Sequence, residues 1–225
     1  MVFLAGGTFL MGSPTGEGNG DEHPQREVTL SPFCLGRTEV TVAAFDACVR
    51  QGRCVAANTG DACNWNAPGR ENHPINCIDW SQANTYCRSL GQRLPTEAEW
   101  EFAASLGGTR RYPWGEAAPS NQLCWSGVRR RDSTCEVGSF SSGNSPAGIS
   151  DLSGNVWEWV SDWYGPDQST DRTNPVGANS GNVRGGRGGS WYNDEPAWVR
   201  ARNRDRRDPT NWDADLGIRC ASGTP

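Results

Sequence analysis

The sequence predicts a loop-rich α+β domain with few helices and short strands. Three observations lead there. At 225 residues the chain fits one domain with a proper core. Hydrophobic residues make up only 35% while Gly 28 and Pro 14 interrupt the chain throughout, so long packed loops must carry much of the structure. Apolar residues recur at helical spacing in only three short stretches, all before residue 106. The 11 tryptophans supply core area that a small aliphatic set does not.

The elements follow in order. Val2 to Gly12 alternates apolar residues with glycine and reads as strand–turn–strand. Residues 14–24 are polar and glycine-rich, hence a loop, and Glu27-Val-Thr-Leu-Ser reads as a strand. A first helix is predicted after Thr41 as N-cap, with Val42, Phe45 and Val49 on one face and Gly52 as the stop. Residues 53–72 form a cysteine-bearing loop. A second helix is expected from Trp80, capped by Ser81, burying Ala83, Tyr86, Cys87 and Leu90 and ending at Gly91. In the third, Thr96 and Glu99 make a capping box and Trp100, Ala103 and Ala104 form the buried face. Beyond residue 105 short strands alternate with Gly, Pro, Asn and Asp turns. Neither an internal repeat nor a dividing linker is present, so residues 1–225 read as one domain.

Composition excludes several functions. The formal charge of −5 argues against nucleic-acid binding, despite basic runs at Arg129–Arg131 and Arg200–Arg207. No apolar run approaches the ~18 residues of a membrane span. Lysine is absent and all 21 basic residues are arginine, which rules out a Schiff-base or P-loop lysine. Nine scattered cysteines without a C-x-x-C spacing suggest disulfides and an extracytoplasmic, periplasmic or secreted location, with at least one thiol left over. Proximity alone suggests pairing Cys124 with Cys135.

Nine motifs occur in order along nearly the whole chain. They are Gly6-Gly-Thr-Phe-Leu-Met-Gly-Ser, Asp21-Glu-His-Pro-Gln-Arg-Glu-Val, Thr38-Glu-Val-Thr, Pro74-Ile-Asn-Cys-Ile-Asp-Trp, Arg93-Leu-Pro-Thr-Glu-Ala-Glu-Trp-Glu-Phe-Ala, Tyr112-Pro-Trp-Gly, Asp151-Leu-Ser-Gly-Asn-Val-Trp-Glu-Trp, Arg187-Gly-Gly-Ser-Trp and Leu216-Gly-Ile-Arg-Cys-Ala. Together they resemble the formylglycine-generating enzyme (sulfatase-modifying factor) family, a variant of the C-type-lectin-like fold. The resemblance implies short antiparallel strands around a twisted core and a disulfide between Cys87 and Cys220.

The same resemblance raises oxidase chemistry and then removes its means. Enzymes of the family use copper held by two cysteines just after Gly-Gly-Ser, because Cu(I) prefers sulfur ligands. Here Asn193 and Trp198 stand at those positions, and no cysteine lies between Cys135 and Cys220. Copper is therefore not expected. Iron held by histidines is not expected either, since only His23 and His73 exist and each precedes a proline in a motif loop. No Gly-x-Ser-x-Gly elbow or distinctive carboxylate pair suggests hydrolysis.

The segment Asp151 to Glu158 can turn at a glycine so that acids and carbonyls face one point, which suits the oxygen-rich shell of Ca²⁺. By resemblance Asp151, Gly154, Val156 and Glu158 would hold a structural calcium. The alternative is that Asp151 caps a turn and Asn155 bonds backbone. Finally, the stretch 191–212 would line the family's substrate groove with Tyr192, Asn193, Asp194, Trp198, Arg200, Arg202, Arg204 and Trp212, residue types enriched in binding sites. Against this, the arginines could pair internally with Asp205, Asp208 and Asp213, and Trp191 reads as core. The resulting expectation is a non-catalytic, calcium-stabilised binding or scaffold domain for a peptide, protein or glycan. The alternatives are a family enzyme with a divergent site and a retroelement-diversified ligand-binding protein.

Overall fold

The computed structural model describes residues 1–165 and 172–224. Its first two strands, β1 (Val2–Leu4) and β2 (Gly7–Met11), are separated by a turn but do not pair with each other. Gly6 explains why: at φ 68° it turns the chain so tightly against β3 that a Cβ would lie 2.2 Å from the Leu30 carbonyl. β2 instead pairs antiparallel with β3 (Arg26–Leu30), and β1 pairs with β4 (Phe33–Leu35), which in turn pairs with the C-terminal β9 (Ala221–Gly223). The ends of the described chain are thereby stitched into one sheet.

The three helices occupy the predicted stretches. α1 (Val42–Arg50) starts at Thr41, whose hydroxyl accepts the Ala44 N–H, and Gly52 follows its end at φ 69°. α2 (Trp80–Ser89) starts at Trp80 as expected but is capped by Asp79, not by Ser81, because Asp79 and Gln82 form a reciprocal capping box. α3 (Glu97–Ser105) has the Thr96–Glu99 box. Almost all of α3 is buried, not one face alone, so its glutamates need partners. Each has an arginine: Glu97 has Arg204, Glu99 has Arg93 and Glu101 has Arg187.

The remaining strands are β5 (Trp157–Trp163), β6 (Arg184–Arg187), β7 (Arg204–Arg207) and β8 (Leu216–Gly217), in the sheet order β7-β6-β5-β8. β5 and β8 run parallel, a departure from the antiparallel expectation. One core cluster lies between α3 and the N-terminal strands, around Phe9, Phe33 and Trp100. A second packs α1 and α2 against Trp157, Trp159 and Ile218.

Four disulfides cross-link the fold. Cys87–Cys220 ties α2 to the chain just before β9, and Cys124–Cys135 closes a surface loop, while Cys48–Cys54 and Cys63–Cys77 pin the irregular segment around residues 53–72. Cys34 is the free thiol, and it is buried. Such bonds form and persist in an oxidising environment. No helix among the described residues is long and apolar enough to cross a membrane.

Candidate functional site

The candidate site is built after β6, where Gly188 and Gly189 turn the chain at φ 101° and 75°. At Gly189 a Cβ would lie 2.9 Å from the Trp198 carbonyl, so glycine lets the two ends of this segment approach. Ser190 is fully buried, and Asn193 folds back on it, its Oδ1 accepting from the Ser190 N–H at 2.8 Å and the hydroxyl at 3.1 Å. The Asn193 side chain therefore closes a turn. Trp191 is core: it packs with Cys124 and Val156, and its indole N–H donates to the Ala214 carbonyl. Tyr192 projects outward with 68% exposure, and Trp198 with 42%.

Facing this segment is a loop that the sequence reading did not assign to the site. The Ser126 N–H donates to the Asn193 carbonyl at 2.8 Å and its hydroxyl to the Trp191 carbonyl at 2.9 Å, which fixes residues 126–132 opposite 191–194. Between them lies a cleft of about 830 Å³ lined by Ser126, Arg130, Arg131, Asp132, Trp191, Tyr192, Asn193, Asp194 and Trp198. That volume is within the ordinary size of a ligand site. Arg131 is anchored by the Trp125 carbonyl, by Cys135 and over the Phe140 ring. Its signal in the sequence was the tribasic run inside the Cys124–Cys135 loop.

Four residues expected in the groove lie elsewhere. Arg200 makes a two-pronged bond to Glu22 at 2.6 and 2.8 Å. Burial pushes the Glu22 carboxyl up, but Arg200 and Ser13 outweigh it and hold it below its ordinary value. Arg202 donates to the Gly108 carbonyl, and Arg204 binds Glu97 and the Asp21 carbonyl. Arg200 and Arg204 turn inward because the buried acids Glu22 and Glu97 demand charge-assisted partners. Of the internal partners considered from sequence, Asp205 and Asp213 pair instead with Arg207. Trp212 is 46% exposed but lines a separate hollow of about 360 Å³ with Asp61, Thr210 and Asn211. Ala214 also lines that hollow and accepts the Trp191 indole N–H, so the Trp191 ring stands between the two depressions.

The expected calcium residues sit beside an acidic cluster deeper in the fold. Asp151 has φ 57° and its Oδ2 accepts the Gly138 N–H at 2.6 Å. Asn155 donates to Glu39 at 2.9 Å and accepts from the Cys135 N–H, so it does bond backbone. Glu158 is fully buried, gripped by Arg219 at 2.7 Å and by the Trp100 indole N–H at 2.7 Å. Burial, with the charges of Asp151 and Glu158, pushes Glu39 well above the usual carboxylate range, and its Oε1 has no hydrogen-bond partner among the described residues. Burial likewise lifts Asp151, against the pull of the Gly138 N–H and Arg219. Three carboxylates thus face one guanidinium. Among the described residues the unpartnered Glu39 Oε1 beside Asp151 is the oxygen that fits a cation, whereas the grip of Arg219 does not favour Glu158 as a ligand. Among the described residues no group of three or more His, Cys, Asp or Glu side chains is arranged to hold a metal ion by itself. His23 and His73 are engaged with the Glu17 carbonyl and the Thr134 hydroxyl.

The model of the sulfatase-modifying factor enzyme 1-like domain matches residues 1–224. The chain belongs to that family. The formylglycine-generating enzyme of Streptomyces coelicolor is 33% identical, over 98% of this chain and 88% of that protein. The mouse protein named inactive C-alpha-formylglycine-generating enzyme 2 is also 33% identical, over 99% of this chain and 85% of its own length. Among solved structures, PvdO from Pseudomonas aeruginosa superposes with a TM-score of 0.84 at 25% identity, covering 99% of this chain and 93% of that one. The fold is therefore the family's variant of the C-type-lectin-like architecture.

Proposed function

We propose that this family member is a non-catalytic binding domain whose cleft between residues 126–132 and 191–198 takes a peptide, protein or glycan ligand outside the cytoplasm. The observation that carries the reading is the state of the two positions that hold copper in the family's oxidases. Asn193 spends its side chain closing the Ser190 turn, and Trp198 offers a half-exposed ring. Neither supplies the sulfur that Cu(I) prefers. What remains is a cleft with exposed aromatic rings and an Arg130 that has no partner among the described residues, the residue types that dominate binding hot spots. The inactive mouse relative is a precedent for the fold without the oxidase, and the four disulfides suit an extracytoplasmic location.

The test mixes the purified domain with copper, oxygen, a reductant and a cysteine-containing sulfatase-type peptide, beside an active family enzyme. An unchanged peptide mass is expected; conversion of the thiol to an aldehyde would overturn the reading. Calcium belongs to the same proposal, held near Asp151 with the carbonyls of Gly154 and Val156, while Glu158 keeps Arg219. The expected outcome is that calcium raises the melting temperature of the parent and that Asp151→Ala abolishes this rise. Equal calcium response in both proteins would remove the site.

A further inference from the structure

The loop that walls the cleft carries a feature beyond its part in the cleft. Arg129 and Arg130 are exposed, and neither makes an ion pair or hydrogen bond among the described residues. Val128 beside them is 55% exposed. Residues 127–133 lie outside every helix and strand. The loop arches over the indole of Trp125, where a Cβ on Gly127 would come within 2.2 Å of the ring. The other exposed arginines differ. Arg50 is in α1 and paired with Asp46, Arg88 is in α2, and Arg206 is in β7. Arg37, Arg53 and Arg172 lie in loops, but Arg37 and Arg53 donate to the Gly148 and Ser89 carbonyls, and the Arg172 carbonyl accepts the Thr29 N–H of β3. A trypsin-like serine protease needs an arginine in its specificity pocket and several residues drawn out into its cleft. Exposed loop tips with few restraints yield such a segment most easily.

We infer that the tribasic loop is a processing site for a trypsin-like serine protease, cut after Arg129 or Arg130. Water adds across the peptide bond, leaving a new carboxylate and a new amino terminus. The inference goes beyond the binding reading and does not depend on it. The geometry also gives the consequence. Cys124–Cys135 spans the cut, and Cys87–Cys220 bridges the two fragments a second time. On one side the wall stays fixed by Ser126 on Asn193, and on the other by Arg131 on Trp125, Cys135 and Phe140. Only the piece between them is released, and with it Arg130. The product is a nicked domain with an opened cleft, not two separated halves.

The experiment is limited digestion of the folded protein with trypsin, read by gel and by mass spectrometry of the fragments. The first cut is expected after Arg129 or Arg130, with one 24.4 kDa species before reduction and two fragments after it. The double substitution Arg129→Gln/Arg130→Gln, checked for an unchanged melting temperature, is expected to lose that first cut. Acrylamide quenching of tryptophan fluorescence is expected to rise on nicking as Trp198 becomes freer. A first cut at another arginine, or an equally fast cut in the double variant, would overturn the processing site. Unchanged quenching would overturn the opening.

Discussion

Replacing Cys87 and Cys220 together by alanine removes the longest cross-link in the molecule, with a sequence separation of 133. In the chain-entropy account, a disulfide stabilises by restricting the unfolded chain, and the effect grows with the logarithm of the loop it closes. For this loop the expected loss is about 5 kcal/mol. The Cys124–Cys135 bond, with a separation of 11, makes an internal reference at about 3 kcal/mol. Cys87, Cys220 and Cys124 are buried at 0%, 4% and 1% exposure and Cys135 is half-buried, so lost packing cancels in part in the comparison. The shorter loop is nested in the longer one and shortens it only slightly. Urea unfolding of the two double variants under non-reducing conditions should therefore show the Cys87/Cys220 variant less stable by about 2 kcal/mol than the Cys124/Cys135 variant. Its unfolding should also be steeper in denaturant, because the freed chain exposes more surface. Equal losses, or a larger loss for the short loop, would refute the entropic reasoning and point to native-state packing around each sulfur instead.

Other tests bear on the buried charges. Arg187→Met strands Glu101, which is 1% exposed, and should cost about 3–5 kcal/mol in urea unfolding; adding Glu101→Leu should recover most of it. Asp162 is pushed up to about 7 by burial and by the charge of Glu97, against an ordinary value of 3.8. Its folded form holds a proton that the unfolded chain has released, so stability is full below about pH 4 and falls as pH rises toward 7. Asp162→Asn, which keeps an oxygen for the Glu97 N–H and the Ser161 hydroxyl, should flatten that fall. Denaturation at pH 4.5 and 7.5 gives the comparison, and an unchanged difference between the two would remove Asp162 as the cause.

What the sequence made legible was mostly local or motif-borne. The Thr96–Glu99 box could be read directly because both partners and their donors lie within one turn. The same logic placed the start of α2 at Trp80 but misassigned its cap, since Asp79 and Gln82 compete with Ser81 and win by forming two bonds. Long-range pairings were not legible. Nothing near Arg200 and Arg204 in sequence announces Glu22 and Glu97 as partners, so a run of arginines beside tryptophans read as a binding wall. The loop that faces residues 191–194, Arg130 to Asp132, lies some sixty residues earlier and is joined to them through Ser126. The Glu-x-Glu-x-Glu pattern of α3 was visible, but an exposed acidic stripe and a set of buried ion pairs look alike in one dimension.

Those buried pairs set how the domain responds to temperature. Glu22, Glu97, Glu101 and Glu158 each close on an arginine inside a protein that is only 35% hydrophobic. Exposing apolar surface raises the heat capacity of unfolding and exposing polar surface lowers it, so this interior yields a smaller heat-capacity change than an aliphatic core of the same size. A smaller change means a flatter stability curve, less sensitive to cold. The cost of keeping charge away from water also falls on warming, so the same pairs hold better as the apolar contribution levels off. A fold short of aliphatic residues thereby gains a broad working range in place of a high, narrow maximum.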